Sequence, residues 1–278
     1  MKARAWIMPL AGDPRWILAA FLLCYDFFAL RSPVFARAPF QFAAGMAACV
    51  LTDLFMLLAV KRLPLAPLSG FITSLGLLLL CDSPKVWPYA AVGVAAILSK
   101  HLIEREGRHI FNPLNFGLVV CLFLFGGSMG TNPARWGLGW RGIFLIGCLG
   151  AFAACRARRL SNSVGYAAGF ALFALVRSAL FGLPPRVVLA PMTAPAFQLF
   201  AFYMVTDPAT APEGRGGLGF GLLVAALDVA LRHNEEIYAP LLAVFLACGA
   251  MPYLRDLSWS SFLPTFGEVS TRMRKTSS

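Results

Sequence analysis

Two stretches of the sequence place polar, potentially reactive side chains beside apolar segments. The first runs from Lys100 through His109 to Asn112, Pro113 and Asn115. Asn112 is a favourable N-cap, and Pro113 suits a first helical turn. A helix that begins here would present free N–H groups beside basic side chains, which favours binding of an anion or cofactor. The residues leave a second interpretation open, a capped helix beside a charged loop.

The second stretch closes an apolar segment with Thr206, Asp207 and Pro208, and Thr210 follows. A carboxylate between hydroxyl groups could clamp a ligand or an ion at the end of that segment. An Asx turn that ends a helix before proline is the open alternative. Together the two stretches supply the predicted cofactor-binding residues, which are Lys100, His109, Asn112, Asn115, Thr206, Asp207 and Thr210.

Charged residues also lie inside apolar runs. Asp26, Asp53 and Asp228 are the acidic ones, and Arg177 is a basic one. Charge inside a membrane is costly and usually faces protein or water. The three aspartates are therefore predicted to mark an ion path, and a static pair between Arg177 and one of them is equally compatible with the sequence.

The composition shows what kind of element must position these side chains. Hydrophobic residues make up 59% of the 278 residues and charged residues 13%, and mean hydropathy is +0.71. Soluble domains carry about 25% charge. The composition predicts an integral membrane protein with the lipid bilayer as a partner, and it argues against a water-soluble enzyme or a nucleic-acid-binding domain. We assign the net charge of +11 to cytoplasmic loops rather than to nucleic-acid contact.

Ten apolar segments predict an all-α, polytopic fold with about ten transmembrane helices. The third and eighth segments hold only about 13 and 14 residues, fewer than the roughly 20 that a span needs, so they are expected to be short or broken. The segments are 16–30, 40–60, 69–81, 86–103, 111–126, 142–155, 164–183, 193–206, 217–231 and 238–253.

The basic residues predict the orientation of these segments. With the N-terminus inside, the cytoplasmic parts hold 15 Lys and Arg and the opposite loops hold 7. Positive charge favours the cytoplasmic side. We therefore expect a multi-pass protein of the cell inner membrane with both termini cytoplasmic, including a basic tail over 257–278.

Internal similarity predicts a duplication. Apolar runs that begin at Phe71 and Phe197 end at Asp82 and Asp207, 125 positions apart, and both have a nearby proline. A repeat unit of five spans is odd in number, so the second copy would be inverted, as in many transport proteins. The predicted organisation is a first repeat over 1–130, a connecting loop over 131–141, a second repeat over 142–256 and the tail.

The sequence lacks the usual signatures of soluble catalysis. The seven cysteines are scattered, and no Cys/His cluster is present, so no metal site is predicted. A Walker A loop, a dinucleotide-binding fingerprint and an HExxH motif are also absent. The glycines of LGFGLL, which starts at Leu218, are expected to allow close packing of helices.

Four stretches in order resemble the NqrB/RnfD family, the large membrane subunits of sodium-pumping NADH:quinone oxidoreductase and of the Rnf electron-transport complex. The resemblance runs from Ser69 to Asp256. It implies ten helices in inverted five-helix repeats. The short central loop and the HIFNPLNFG sequence most resemble a compact branch of the family that includes membrane proteins of enediyne biosynthesis clusters. The four stretches are SGFITSLGLLLL, ILSKHLIEREGRHIFNPLNFGLVV, MTAPAFQLFAFYMVTDPATAP and EEIYAPLLAVFLACGAMPYLRD.

The family also implies a flavin. Its members attach FMN to a threonine of an S-x-A-T type motif between the repeats. The corresponding stretch here, 126–140, contains only Thr131 and lacks the motif, and Thr193 in APMTAP is a poor substitute. Covalent FMN is therefore not expected, and any FMN or riboflavin would be bound non-covalently.

Three functions agree with these observations. The first is a redox membrane subunit that holds a flavin, works with other membrane or redox subunits, and couples electron transfer to cation movement. The second is a channel or transporter for a small solute with a fold like that of urea transporters. The third is an assembly subunit that has kept the fold without the cofactor.

Overall fold

The protein is predominantly a bundle of helices. The computed structural model describes residues 14–30, 39–61, 66–131 and 139–256. The first half contains α1 (Pro14–Leu30), α2 (Pro39–Phe55) continued by a π-helical turn (Met56–Val60), α3 (Leu68–Leu80), α4 (Trp87–Leu102) and α5 (Pro113–Phe125). The second half contains α6 (Gly139–Arg156), α7 (Leu160–Phe181), α8 (Pro185–Leu189), a 3₁₀ turn (Ala190–Thr193), α9 (Pro195–Leu199) continued by a π-helical turn (Phe200–Met204), α10 (Gly214–His233) and α11 (Ala239–Asp256).

Each predicted apolar segment coincides with one of these helical stretches. The third is short as predicted, because α3 has 13 residues. The eighth is broken as predicted: Pro185–Thr193 and Pro195–Met204 meet at an angle of 63°. This helical stretch begins eight residues before the predicted start. The connecting loop lies partly outside the described residues and the basic tail entirely so.

The described helices are compatible with a membrane location. Three are long and apolar enough to cross a bilayer, namely Pro39–Val60, Leu160–Phe181 and Gly214–His233, and the bent pair would make a fourth. Large apolar side chains also point outward, as shown by Phe123 at 77% and Leu180 at 72% exposure. Such exposure suits contact with lipid tails rather than water.

Contacts between loops define two ends of the bundle. At the first end, Lys61 pairs with Glu104, and Arg159 donates a hydrogen bond to the carbonyl oxygen of Pro208. At the second end, the hydroxyl of Ser83 donates to the carbonyl oxygen of Ser128. Helices that connect these loops therefore run from one end to the other.

Two small antiparallel sheets reinforce the ends. At the second end β1 (Cys81–Asp82) pairs with β4 (Gly130–Thr131), which joins the turns after α3 and α5. At the first end β2 (Glu104–Arg105) pairs with β3 (Arg108–His109) in a hairpin between α4 and α5. This hairpin sets the position of His109 just before α5.

Helices α7 and α10 pack closely along their glycines. A Cβ added at Gly165 would lie 2.4 Å from the carbonyl oxygen of Leu218, and one at Gly221 would lie 2.3 Å from that of Asn162. The expectation that the LGFGLL glycines permit close packing is confirmed for Gly221. Gly219 instead faces open space, with no heavy atom within 4 Å of an added Cβ.

Candidate functional site

A cavity of about 1250 Å³ lies among helices of both halves. Its wall combines α1, α3 and the start of α5 with the end of α6, the bent α8–α9 stretch and the start of α11. Ligand pockets usually have volumes of about 300–1000 Å³, so this cavity can hold a large organic molecule. Most of its lining is apolar, as in other pockets for organic ligands.

Five of the seven predicted cofactor-binding residues line this cavity. They come from both halves of the chain, which the sequence alone did not place in contact. The five are Lys100, His109, Asn112, Thr206 and Asp207.

His109 and Asp207 join the two halves directly. The Nε2 atom of His109 lies 3.2 Å from Oδ2 of Asp207, although 98 positions separate the residues. The other carboxylate oxygen of Asp207 accepts from the backbone N–H of Ala209. The predicted Asx turn is thus present, and the same carboxylate also takes part in the contact across the cavity.

The predicted cap of α5 is confirmed. The side-chain oxygen of Asn112 accepts from the backbone N–H of Asn115 at 3.0 Å. The hydroxyl of Thr206 donates to the carbonyl oxygen of Phe202. Both side chains therefore have local hydrogen bonds while they line the cavity, so the structural and the ligand-binding interpretations are compatible at these positions.

Asn115 and Thr210 lie outside the described cavity lining. Asn115 is fully buried, and its amide nitrogen donates to the carbonyl oxygen of Leu241 on α11 at 3.1 Å. Thr210 is also buried, and its side chain lies beside Cys248 of α11. Both residues connect elements around the site instead of forming its wall.

Asp53 is the centre of a buried polar cluster. Its carboxylate accepts from Nζ of Lys100 at 3.0 Å and from the backbone N–H of Gly70 at 2.9 Å. Nε2 of His101 lies 2.7 Å from the same carboxylate. The cluster therefore joins α2, α3 and α4, and of its members only Lys100 belongs to the described cavity lining.

Asp228 has a similar environment in the second half. Its carboxylate accepts from the hydroxyl of Tyr166 at 2.7 Å and from Nε of Arg232 at 2.8 Å. Asp26 is buried on α1. Neither they nor Asp53 line the cavity as described, so this space does not bring the three aspartates of the predicted ion path together. Among the described ion pairs, Arg177 is not the partner of Asp53 or Asp228.

The cavity wall carries more positive than negative charge. Of the described lining residues, Asp207 alone is acidic, whereas five are arginine or lysine. Sequence reasoning assigned most of these cations to loops that face the cytoplasm and did not predict that they line a cavity. The only available signal was their position at the ends of apolar segments. The five are Arg15, Lys100, Arg156, Arg158 and Arg232.

A further ion pair fixes the loop beside Asp207. The buried Arg159 pairs with the exposed Glu213 just before α10 and also holds the carbonyl oxygen of Pro208. The Arg159 guanidinium lowers the pKa of the Glu213 carboxyl, chiefly by hydrogen bonding to the carboxylate and also through its positive charge. Arg159 therefore ties the loop that carries Asp207 to the start of α10.

The chain matches no known family model, and no curated protein is significantly similar to it. The geometry nevertheless defines what the site can do chemically. It combines a large apolar space, five cationic side chains, and hydrogen-bonding side chains from two helix ends. These features suit an organic ligand that carries negative charge.

Proposed function

We propose that this protein is a membrane subunit of an electron-transport system like the NqrB/RnfD family, and that it holds a non-covalent flavin. One observation carries the proposal. His109 and Asp207 contact each other at the wall of one large cavity, although the sequence predicted them as ligand-binding residues in two separate stretches. Flavin is the ligand that the family resemblance implies.

The proposed architecture has ten transmembrane segments in two inverted repeats. The packing of the halves supports it, because α2 packs on α4 and α4 on α5 in the same way as α7 packs on α10 and α10 on α11. The bond from Asn115 to Leu241 connects positions 126 apart, close to the repeat offset. The basic first end would face the cytoplasm.

The residues of the cavity fit the chemistry of a flavin mononucleotide. Phe197, Phe200 and Tyr203 offer aromatic surface to a flat ring system, and Asn112 offers hydrogen-bonding groups to its polar edge. The cations of the wall would neutralise a phosphate. A bound flavin would supply electron transfer, and the protein's part would be to bind and orient it and to exclude water.

Partner subunits are part of this proposal. The sequence lacks a dinucleotide-binding motif, so electrons would come from and return to other membrane or redox subunits. Coupling to cation movement would require an ion path outside the electropositive cavity. Asp26, Asp53 and Asp228 remain the candidates for such a path, because all three are buried outside the described lining.

The first experiment is a spectrum of the purified protein between about 350 and 500 nm, the region of flavin absorbance, recorded before and after acid precipitation. Flavin released into the supernatant supports the proposal. Flavin retained in the pellet would show covalent attachment, and peptide mass analysis would then test Thr131, which lines the cavity. Colourless protein from cells with ample riboflavin would contradict the proposal.

A pair of variants tests the location of the flavin. Replacement of Arg156 and Arg158 by glutamine removes two exposed cations of the cavity wall and should reduce bound flavin. Arg186→Gln is the matched control, because Arg186 is an exposed cation outside the described lining. Equal flavin content in both variants would place the flavin elsewhere.

The cavity extends from one end of the bundle toward the other, which favours a second candidate function, passage of a small solute. Arg156 lines it beside the first end, whereas Thr131 and Ile237 line it beside the second. Spaces that connect both ends of a helical bundle underlie transport in many membrane proteins. Solute flux into vesicles that contain the protein, without any redox reagent, is the test of this function.

A further inference from the structure

Two cations of the cavity wall share the same unusual support. Lys100 bonds to the fully buried Asp53, and Arg232 bonds to the fully buried Asp228. Both cations lie in the last turn of their helices, α4 and α10, and each is followed directly by a histidine. The same arrangement therefore occurs once in each half.

The two pairs lie at opposite ends of the bundle. Helix α4 ends beside the Glu104–Lys61 bridge, which belongs to the first end. Helix α10 begins beside Arg159 at that first end, so its last turn lies at the second end, where the ring of His233 contacts Phe181. A solute in the cavity would thus meet one of these paired cations toward each end of the bundle.

Each carboxylate has further hydrogen bonds besides the one to its cation. Asp53 also accepts from the backbone of Gly70 and contacts His101, and Asp228 also accepts from Tyr166. If a cation turned toward an anion in the cavity, its aspartate would remain hydrogen-bonded. This matters because a buried carboxylate without partners is very costly.

The charge of the wall defines the class of solute. Asp53 and Asp228 offset the charges of Lys100 and Arg232. Asp207 is the one acidic residue among the described lining residues, whereas Arg15, Arg156 and Arg158 add three positive charges, so the net charge around the cavity is still positive. The field of this charge attracts anions and excludes cations. Because the rest of the lining is largely apolar, it suits an anion with an organic part better than a strongly hydrated inorganic ion.

We propose that the cavity is a passage for small organic anions, with Lys100 and Arg232 as the contact points toward its two ends. This inference rests on the second candidate function, passage of a solute, and is an alternative to flavin binding, because a flavin in the same cavity would block the passage. In this arrangement each aspartate positions its cation, and the anion meets only the cation.

The test uses the full chain in vesicles and isotopically labelled methanesulfonate, which is small, organic and negatively charged at all relevant pH values. Uptake is compared with that of urea, which is neutral, and of K⁺. The expected result is uptake of methanesulfonate well above empty vesicles and above both other solutes. Circular dichroism verifies that the reconstituted protein is helical.

Paired substitutions test the residues without leaving a buried charge unpaired. Asp53→Asn with Lys100→Gln removes the first contact point, and Asp228→Asn with Arg232→Gln removes the second. Each pair should reduce methanesulfonate uptake by about tenfold or more, the scale on which such fields act on association rates. The matched control, Lys61→Gln with Glu104→Gln, removes a pair at the first end outside the described lining and should leave uptake within about twofold.

Each other outcome overturns a defined part of the inference. Uptake of urea without methanesulfonate would support a passage and contradict selection of anions, as would faster uptake of K⁺. Absence of flux for all three solutes through helical, reconstituted protein would contradict the passage itself. Anion uptake that survives both paired substitutions would contradict the assignment of the two contact points.

Discussion

Substitution of Gly221 by alanine should separate α7 from α10. The new Cβ would lie 2.3 Å from the carbonyl oxygen of Asn162 and 2.6 Å from the backbone nitrogen of Tyr166. Both are backbone atoms of α7, so neither can move aside as the tip of a flexible side chain could. Relief of the overlap requires the two helices to move apart by about 1 Å, since an ordinary contact begins near 3.4 Å.

The size of the effect follows from two opposing terms. Alanine favours a helix over glycine by about 1 kcal/mol, which would stabilise the variant. Against this, overpacking typically costs about 1–3 kcal/mol. A gap of about 1 Å between the helices also removes about a quarter to a half of the dispersion energy of each contact along the interface. Since α7 and α10 pack along most of their lengths, we expect the upper part of this range.

Gly219→Ala is the matched control, because it lies on the same helix and its Cβ would meet no heavy atom within 4 Å. It gains the same helix preference without the clash. Unfolding in mixed detergent micelles, followed by circular dichroism, should therefore place Gly221→Ala about 2 kcal/mol or more below Gly219→Ala in stability. Equal stability of the two variants would refute the reasoning from close packing.

Three further predictions concern polar contacts. Asn112→Ala should lower stability by about 1 kcal/mol in the same unfolding assay through loss of the α5 cap, and an unchanged midpoint would contradict that role. Asp53→Asn should cost about 3 kcal/mol, because Lys100 loses its buried counter-charge; a loss below about 1 kcal/mol would show that the pair behaves as a surface bridge. The pKa of Glu213 is lower in the folded protein than in the unfolded chain. Its pair with Arg159 therefore stabilises the fold fully at pH values above the unfolded-state pKa. This stabilisation is lost as the pH falls through the lower folded-state pKa. Glu213→Gln should therefore reduce the loss of thermal stability between neutral and acid pH. An equal fall of the unfolding temperature at acid pH in both proteins would contradict this role of the Glu213 pair with Arg159.

Local features of the fold were predictable from the sequence, whereas contacts between distant positions were not. The Asn112 cap follows from spacing within one turn, and each helix follows from an apolar run. The contact of His109 with Asp207 depends on the tertiary arrangement, so the sequence could nominate both residues for a ligand but could not pair them.

The cavity wall shows the same limit. Arg232 was assigned to a loop because it follows an apolar segment, but α10 continues for two further residues, to His233, and Arg232 lies there at the wall, bonded to Asp228. The eighth segment was predicted to begin too late because two prolines, Pro185 and Pro191, are typical of a loop. In the structure they open successive short helical turns instead.

The bent α8–α9 stretch gives one wall of the cavity a different local stability from the others. Helices α8 and α9 have five residues each, far too few to persist without neighbours, so packing on α6 and α7 must maintain them. Pro191 and Pro195 further reduce the number of backbone hydrogen bonds that can form there. Segments of this kind open at lower free energy than the surrounding long helices. Amide hydrogens of this wall should therefore exchange faster than those of α7 or α10, which makes it the side of the cavity best able to reshape around a bound molecule.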